Sequence, residues 1–75
     1  MIKYLNKNND SLIDSYNYTR SSITIRLKNG LFYLFTTNKL NQEIINEMKL
    51  LAVRGCGLSA YINRYCKNAY DSKFY

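Results

Sequence analysis

The chain has 75 residues, and its 11 Lys and Arg side chains against 5 Asp and Glu give a formal net charge of +6. This balance favours polyanions, acidic proteins or anionic lipid as partners and argues against a DNA mimic that presents carboxylates. The two Cys residues, Cys56 and Cys66, are too few for a disulfide scaffold, and we expect them to be reduced.

The residue types needed for catalysis or metal binding are scarce. The chain contains no His, which excludes a Cys-His nucleophile and leaves a zinc site short of ligands. The carboxylates form no persuasive acid–base pair. We therefore expect that the protein is not an enzyme and that it has no catalytic residue, bound metal or cofactor. No apolar run is long enough to cross a bilayer and no signal-peptide core is present, so the prediction is a cytoplasmic protein without membrane contact.

Residues 1–75 are expected to form one domain, beginning with residues 1–11 as an arm or short strand. A β-meander over residues 12–36 follows, with strands at 12–18, 22–28 and 31–36, because β-branched and aromatic residues alternate there between polar turns. Asn29-Gly30 is the strongest hairpin signal in the chain. A two-residue type I′ turn there would place Arg26 opposite Tyr33 and Ile25 opposite Leu34.

Beyond the meander the apolar period lengthens to that of a helix. One helix is predicted over 38–54, with Asn38 or Asn41 as its N-cap, and a second over 58–69, with a tail over 70–75. The fold class is α+β, a three-stranded antiparallel sheet followed by two helices in a two-layer domain.

The predicted turn puts cations and rings on one side of the sheet, namely Arg26, Lys28, Tyr33 and Phe35. Cations neutralise phosphates and rings stack on unpaired bases, so this face is the first candidate for nucleic-acid binding. The alternative is that both rings are core residues under a helix.

The loop at residues 54–59 is the second candidate, because free amides beside Arg54 could cradle an anion. Arg64 and Lys67 would extend that positive surface. A plain interhelical turn is the alternative. Cys56, at the start of the second helix, is a candidate reactive thiol, whereas Cys66 lies on the apolar stripe as a core residue.

The order of these motifs resembles the KTSC domain, a short module found at the C-terminus of some lysyl-tRNA synthetases and in stand-alone bacterial and phage proteins. The matching pieces are Tyr16, residues 23–30, residues 33–35 in place of a central Tyr-x-Tyr, residues 61–63 and Tyr70. The chain departs from the family at residues 38–39, where the family has Val-Pro, and at residues 54–59. The resemblance implies RNA binding and no catalytic residue.

Two functions are therefore predicted. The first is a small basic module that binds RNA or another single-stranded nucleic acid. The second is a phage or mobile-element protein that binds and inhibits a host protein of a nucleic-acid-handling complex, for example an anti-CRISPR on a CRISPR effector. Exposed Tyr and Arg side chains would anchor such an interface. A weaker third hypothesis is a dimer formed through Cys56 under oxidation.

Overall fold

A computed structural model describes residues 1–7 and 11–75 of the chain. The strands of this described part are β1 (Ile2–Lys3), β2 (Ile13–Thr19), β3 (Ser22–Leu27), β4 (Phe32–Thr36) and β5 (Ser72–Phe74). Between β4 and β5 lie α1 (Gln42–Arg54) and α2 (Leu58–Tyr61), and α2 continues into one π-helical turn (Ile62–Cys66). The fold is α+β.

The predicted three-stranded sheet is wrong, because the sheet has five antiparallel strands in the order β1-β2-β3-β4-β5. Strand β1 lengthens the meander at one edge, where Ile2 pairs with Tyr16 of β2. At the other edge β5 returns after both helices and pairs with β4. The predicted arm or strand over 1–11 is thus a strand at Ile2–Lys3, and its residues 8–10 lie outside the described residues.

The hairpin between β3 and β4 forms at the predicted place with a different turn. Leu27 N–H donates to Leu31 O (2.8 Å) and Gly30 N–H donates to Leu27 O (2.9 Å), which makes a three-residue loop. Gly30 has a φ of 91°, whereas Asn29 has a negative φ and so cannot form the type I′ turn, which needs positive φ at both positions. Arg26 consequently pairs with Phe32, and Ile25 pairs with Tyr33.

This register differs by one residue from the predicted one, and a shift of one residue moves every side chain of a strand to the other face. Tyr33 and Phe35 therefore share the face of Ile23 and Ile25, which we call the inner face. The helices cover it. The buried core joins the two layers and comprises Tyr4, Ile13, Tyr16, Ile23, Ile25, Phe35, Leu40, Ile45, Met48, Ala52, Leu58 and Cys66.

Helix α1 begins later than predicted, and of the two candidate caps the structure uses Asn41. Its side-chain oxygen accepts from Ile44 N–H (2.9 Å), which satisfies one free amide of the first turn. Helix α2 also differs from the regular helix predicted over 58–69. Its π-helical turn takes more residues per turn than an α-helix, so burial follows Leu58 and Cys66 while Tyr65 is exposed.

Candidate nucleic-acid interface

The four residues predicted to form a basic and aromatic face do not lie together. Arg26 is exposed on the side of the sheet away from the helices, and Lys28 is exposed in the turn. Phe35 is buried in the core and Tyr33 packs against it. The prediction that these side chains share one face is wrong, because the three-residue loop shifts β4 by one position relative to β3.

The corrected register assembles a different set of side chains on the side of the sheet away from the helices, where Ser15 is buried. Cross-strand partners share a face, and the pairs Lys3 with Ser15, Ser15 with Arg26, Arg26 with Phe32, and Phe32 with Phe74 connect all five strands. We call these five residues the outer row. Neighbouring strands are about 4.8 Å apart, so the row is roughly 19 Å long.

The outer row changes from cationic to aromatic along its length. Lys3 and Arg26 are exposed on β1 and β3. The Arg26 guanidinium carbon lies 5.7 Å from the centre of the Phe32 ring. The rings of Phe32 and Phe74 stack with their centres 5.2 Å apart and their planes 8° from parallel. Phe74 is 45% exposed, so its ring extends this stack at the edge of the sheet.

Such a row has the two kinds of group that single-stranded nucleic acids require. Exposed cations attract phosphates, and an open aromatic ring offers its face to any base. Phe32 occupies one face of the Phe74 ring, and Phe74 lies on β5, an edge strand of the sheet. The arrangement can therefore hold a base at Phe74 while the backbone follows the cations across the strands.

Asp71 anchors the strand that carries Phe74. Its Oδ2 accepts from Thr36 N–H (2.8 Å) and from Thr36 Oγ1 (2.6 Å), and its own N–H donates to Leu34 O (2.7 Å). These bonds join the start of β5 to the end of β4, because one carboxylate satisfies two donors that would otherwise need other partners. The ring of Phe74 is thereby brought beside Phe32.

The outer row includes Lys3, Phe32 and Phe74, none of which was among the predicted nucleic-acid-binding residues. Under the predicted register Phe32 lay on the face opposite Arg26, and Phe74 lay in the predicted tail. Residues 71–75 carry three polar side chains followed by two aromatic ones, so they lack the apolar–polar alternation that would have indicated a strand there.

The loop at residues 54–59 is an interhelical turn, and several of its backbone groups form hydrogen bonds inside the protein. Gly55 N–H donates to Leu51 O (3.0 Å), and Gly55 O accepts from Lys7 N–H (2.7 Å). The first amide of α2, that of Leu58, donates to the Tyr4 hydroxyl (3.3 Å). Two amides of this loop, those of Gly55 and Leu58, are thus not free to bind an anion.

The remaining predicted cations lie on the helical elements, on the other side of the sheet from Arg26. Arg54 ends α1, and Arg64 and Lys67 lie at the π-helical turn; all three are exposed. The Arg64 guanidinium carbon lies 5.5 Å from the centre of the Tyr65 ring. These side chains therefore do not extend the outer row.

The two cysteines have different surroundings. Cys56 is partly exposed and Cys66 is buried, as the apolar stripe predicts for Cys66. Burial raises the pKa of the Cys66 thiol, because a thiolate would lose its hydration there. The Cys66 Sγ lies 3.8 Å from Met48 Sδ. Cys66 is therefore a neutral core thiol.

Residues 1–7 and 11–75 contain neither a metal-ligand cluster nor a membrane-spanning helix. No cluster of three or more Cys, Asp or Glu side chains there has the arrangement of metal ligands. None of the helices in that part is both long and apolar enough to span a bilayer. Comparisons with family models, curated proteins and solved structures found no match to the chain.

Proposed function

We propose that this chain is a non-catalytic binding protein for single-stranded nucleic acid, with RNA as the first ligand to test. The observation that carries the proposal is the outer row, in which two exposed cations continue into stacked rings. The net charge of +6 supports it, since a positive surface attracts polyanions over distance. The resemblance to the KTSC domain stays a prediction and points the same way.

The row gives each side chain a distinct role in this proposal. Lys3 and Arg26 neutralise phosphates and release their counterions, so affinity falls as salt rises. Phe74 stacks on one base. Phe32 supports both neighbours, because it lies between the Arg26 guanidinium and the Phe74 ring.

The test is fluorescence anisotropy with a labelled single-stranded oligouridine at several salt concentrations. The chain offers matched controls, since Arg26 and Arg64 are both exposed and both lie over a ring. We expect R26Q to weaken binding and to reduce the slope of log K against log salt by about 0.7, the value for one phosphate contact on a single strand. R64Q should leave both unchanged.

The aromatic part of the row has its own pair of variants. F74A should weaken binding by about 1–3 kcal/mol, the range for losing one base–aromatic stack, and Y65A on the helical side should not. Both rings are largely exposed, at 45% and 56%, so neither variant should unfold the protein, which circular dichroism would verify. Equal effects of R26Q and R64Q, or no binding at low salt, would exclude this interface.

The second candidate function is the binding of a partner protein, as a phage or mobile-element inhibitor of a host complex would do. Exposed apolar side chains on α1 favour it, with Leu50 66% and Val53 59% exposed, because neighbouring apolar side chains on a surface mark interaction sites. A pull-down from nuclease-treated host lysate would recover a stoichiometric protein with the natural chain and lose it with L50D. Loss with R26Q alone would instead favour the outer row.

A further inference from the structure

A cavity of about 400 Å³ lies between the inner face of the sheet and the π-helical turn. This volume is within the range of small-molecule sites, about 300–1,000 Å³. Its walls come from β2, β3, β4, α2, the π-helical turn and the segment before β5. The lining residues include Leu27, Tyr33, Ile62, Asn63, Lys67 and Asn68.

The cavity is apolar at its base and polar at its rim. Leu27, Tyr33 and Ile62 line it and are only partly buried, so they supply the apolar surface that a ligand can reach. Asn63 and Lys67 line it and are exposed, so they lie where it opens to solvent. A ligand that fits this gradient has an apolar body and one polar end.

The charge at the rim is positive. Lys67 is a lining residue, and the Lys73 Nζ lies 5.8 Å from the ring centre of Tyr33, which also lines the cavity. No carboxylate of residues 1–7 and 11–75 lines it. An anionic head group would therefore be attracted to this opening, and a cationic one would be repelled.

The backbone that forms this wall departs from regular helix in two places. Ile62, Asn63 and Cys66 belong to the π-helical turn, and Asn68, also a lining residue, has a φ of 66°. Single π-helical turns occur often at functional sites, whereas an asparagine with positive φ just after a helix is a common way to end it. Both irregularities contribute to the wall of the same cavity.

We propose that this cavity binds a small amphiphile with an apolar body and a single anionic head group, such as a medium-chain carboxylate. The body lies over Leu27, Tyr33 and Ile62, and the head group pairs with Lys67 at the rim. This site is separate from the nucleic-acid interface, because the cavity is on the inner face of the sheet and the outer row is on the opposite face.

The test uses three probes with the same apolar chain and different heads, namely octanoate, octanol and octylamine. Binding to the full chain would be followed by NMR, with the amide shifts of Ile62 and Asn63 as reporters. We expect saturable binding of octanoate, weaker binding of octanol, and the weakest of octylamine, which is cationic at neutral pH. Octylamine binding as tightly as octanoate would overturn the proposal.

Two variants locate the site. K67Q should weaken octanoate about tenfold and leave octanol unchanged, whereas K7Q, the loss of another exposed Lys, should change neither. I62F should fill the cavity and reduce binding of all three probes. If I62F does not fold, K67Q still decides the matter, because Lys67 is exposed and its loss leaves the core intact. Equal effects of K67Q and K7Q would contradict the proposed head-group site.

The two binding proposals can fail independently. F74A and R26Q should leave octanoate affinity unchanged, and K67Q should leave oligouridine affinity unchanged. A loss of octanoate binding in F74A would show that the carboxylate binds on the outer row and would overturn the cavity assignment. Failure of oligouridine to bind the natural chain would leave the octanoate result untouched.

Discussion

The end of α1 lies very close to the N-terminal segment at Gly55. Its φ is 86°, and a Cβ placed on it would lie 2.6 Å from the Leu5 Cβ. Its carbonyl also accepts from Lys7 N–H. The absence of a side chain at this residue therefore allows both the left-handed end of the helix and the approach of residues 5–7.

We expect G55A to lower the free energy of unfolding by about 2–5 kcal/mol. A left-handed conformation costs an L-residue roughly 1–2 kcal/mol, and the overlap with Leu5 adds the cost of overpacking, about 1–3 kcal/mol. Urea denaturation followed by circular dichroism measures the loss.

G30A is the matched control, because Gly30 has a similar φ of 91° and an added Cβ there meets nothing within 4 Å. Only the backbone cost, about 1–2 kcal/mol, applies. Equal losses for G55A and G30A would show that Leu5 does not restrict position 55. Partial recovery of G55A by the additional change Leu5→Ala would identify the clash directly.

At the scale of single elements, the N-terminus of α1 gives a clean comparison of two asparagines. Asn41 caps the helix through its side-chain oxygen, while Asn38 lies in the turn before it and is exposed. We expect N41A to cost about 1 kcal/mol and to lower Tm by about 4–8 °C for a domain of this size.

N38A is the control and should change Tm little. Asn38 donates to Thr36 Oγ1 through its backbone N–H, and the variant keeps this bond. Thermal unfolding by calorimetry compares the two variants. A larger loss for N38A would contradict the observed start of α1 at Gln42.

The hairpin shows where sequence patterns determine an element and where they do not. Asn29-Gly30 correctly predicts that the chain reverses there, since the pair suits tight turns. The same pair also fits a three-residue loop with one left-handed glycine, so it does not determine the register. In β4 every residue from 32 to 35 is apolar, and a strand without polar alternation gives no signal for its faces. The predicted site depended on that register.

The edge strands could not be predicted for a different reason. Strands β1 and β5 contain two and three residues, too few for an alternating pattern to be distinguished from a loop. Their pairing depends on tertiary bonds such as that from Tyr4 N–H to Asp14 O (3.0 Å). The apolar periodicity of the longer segments did predict the two helices, the α+β class and the core position of Cys66, because a long segment shows its period clearly.

At the scale of the whole molecule, tyrosine and cysteine side chains with raised pKa values make the folded state less stable at alkaline pH. Desolvation by burial raises the pKa of Tyr16, with a smaller contribution from Tyr18, and burial also raises the pKa of Tyr61 and Cys66. The folded state therefore holds these protons more tightly than the unfolded chain. Their contribution to stability is complete below the unfolded-state pKa values and is lost as pH rises toward the folded-state values.

We expect the free energy of unfolding to fall above about pH 9, where free thiols and then phenols ionise. The slope is at most about 1.4 kcal/mol per pH unit for each group. Urea denaturation from pH 7 to 11 measures it. C66A should remove the earliest part of the fall, and C56A serves as the control for the loss of a thiol. A profile that rises above pH 9 would contradict the assignment.

The position of β5 in the chain affects when the outer row can exist. Phe32 is made before both helices and Phe74 after them, so the stacked pair closes a large part of the chain. During synthesis from the N-terminus, a nascent chain can pair β2, β3 and β4 while Phe74 is still inside the ribosome. The complete aromatic end of the row therefore appears only after the helices have been translated, and a ribosome-bound chain that stops before residue 74 would lack its stacking ring.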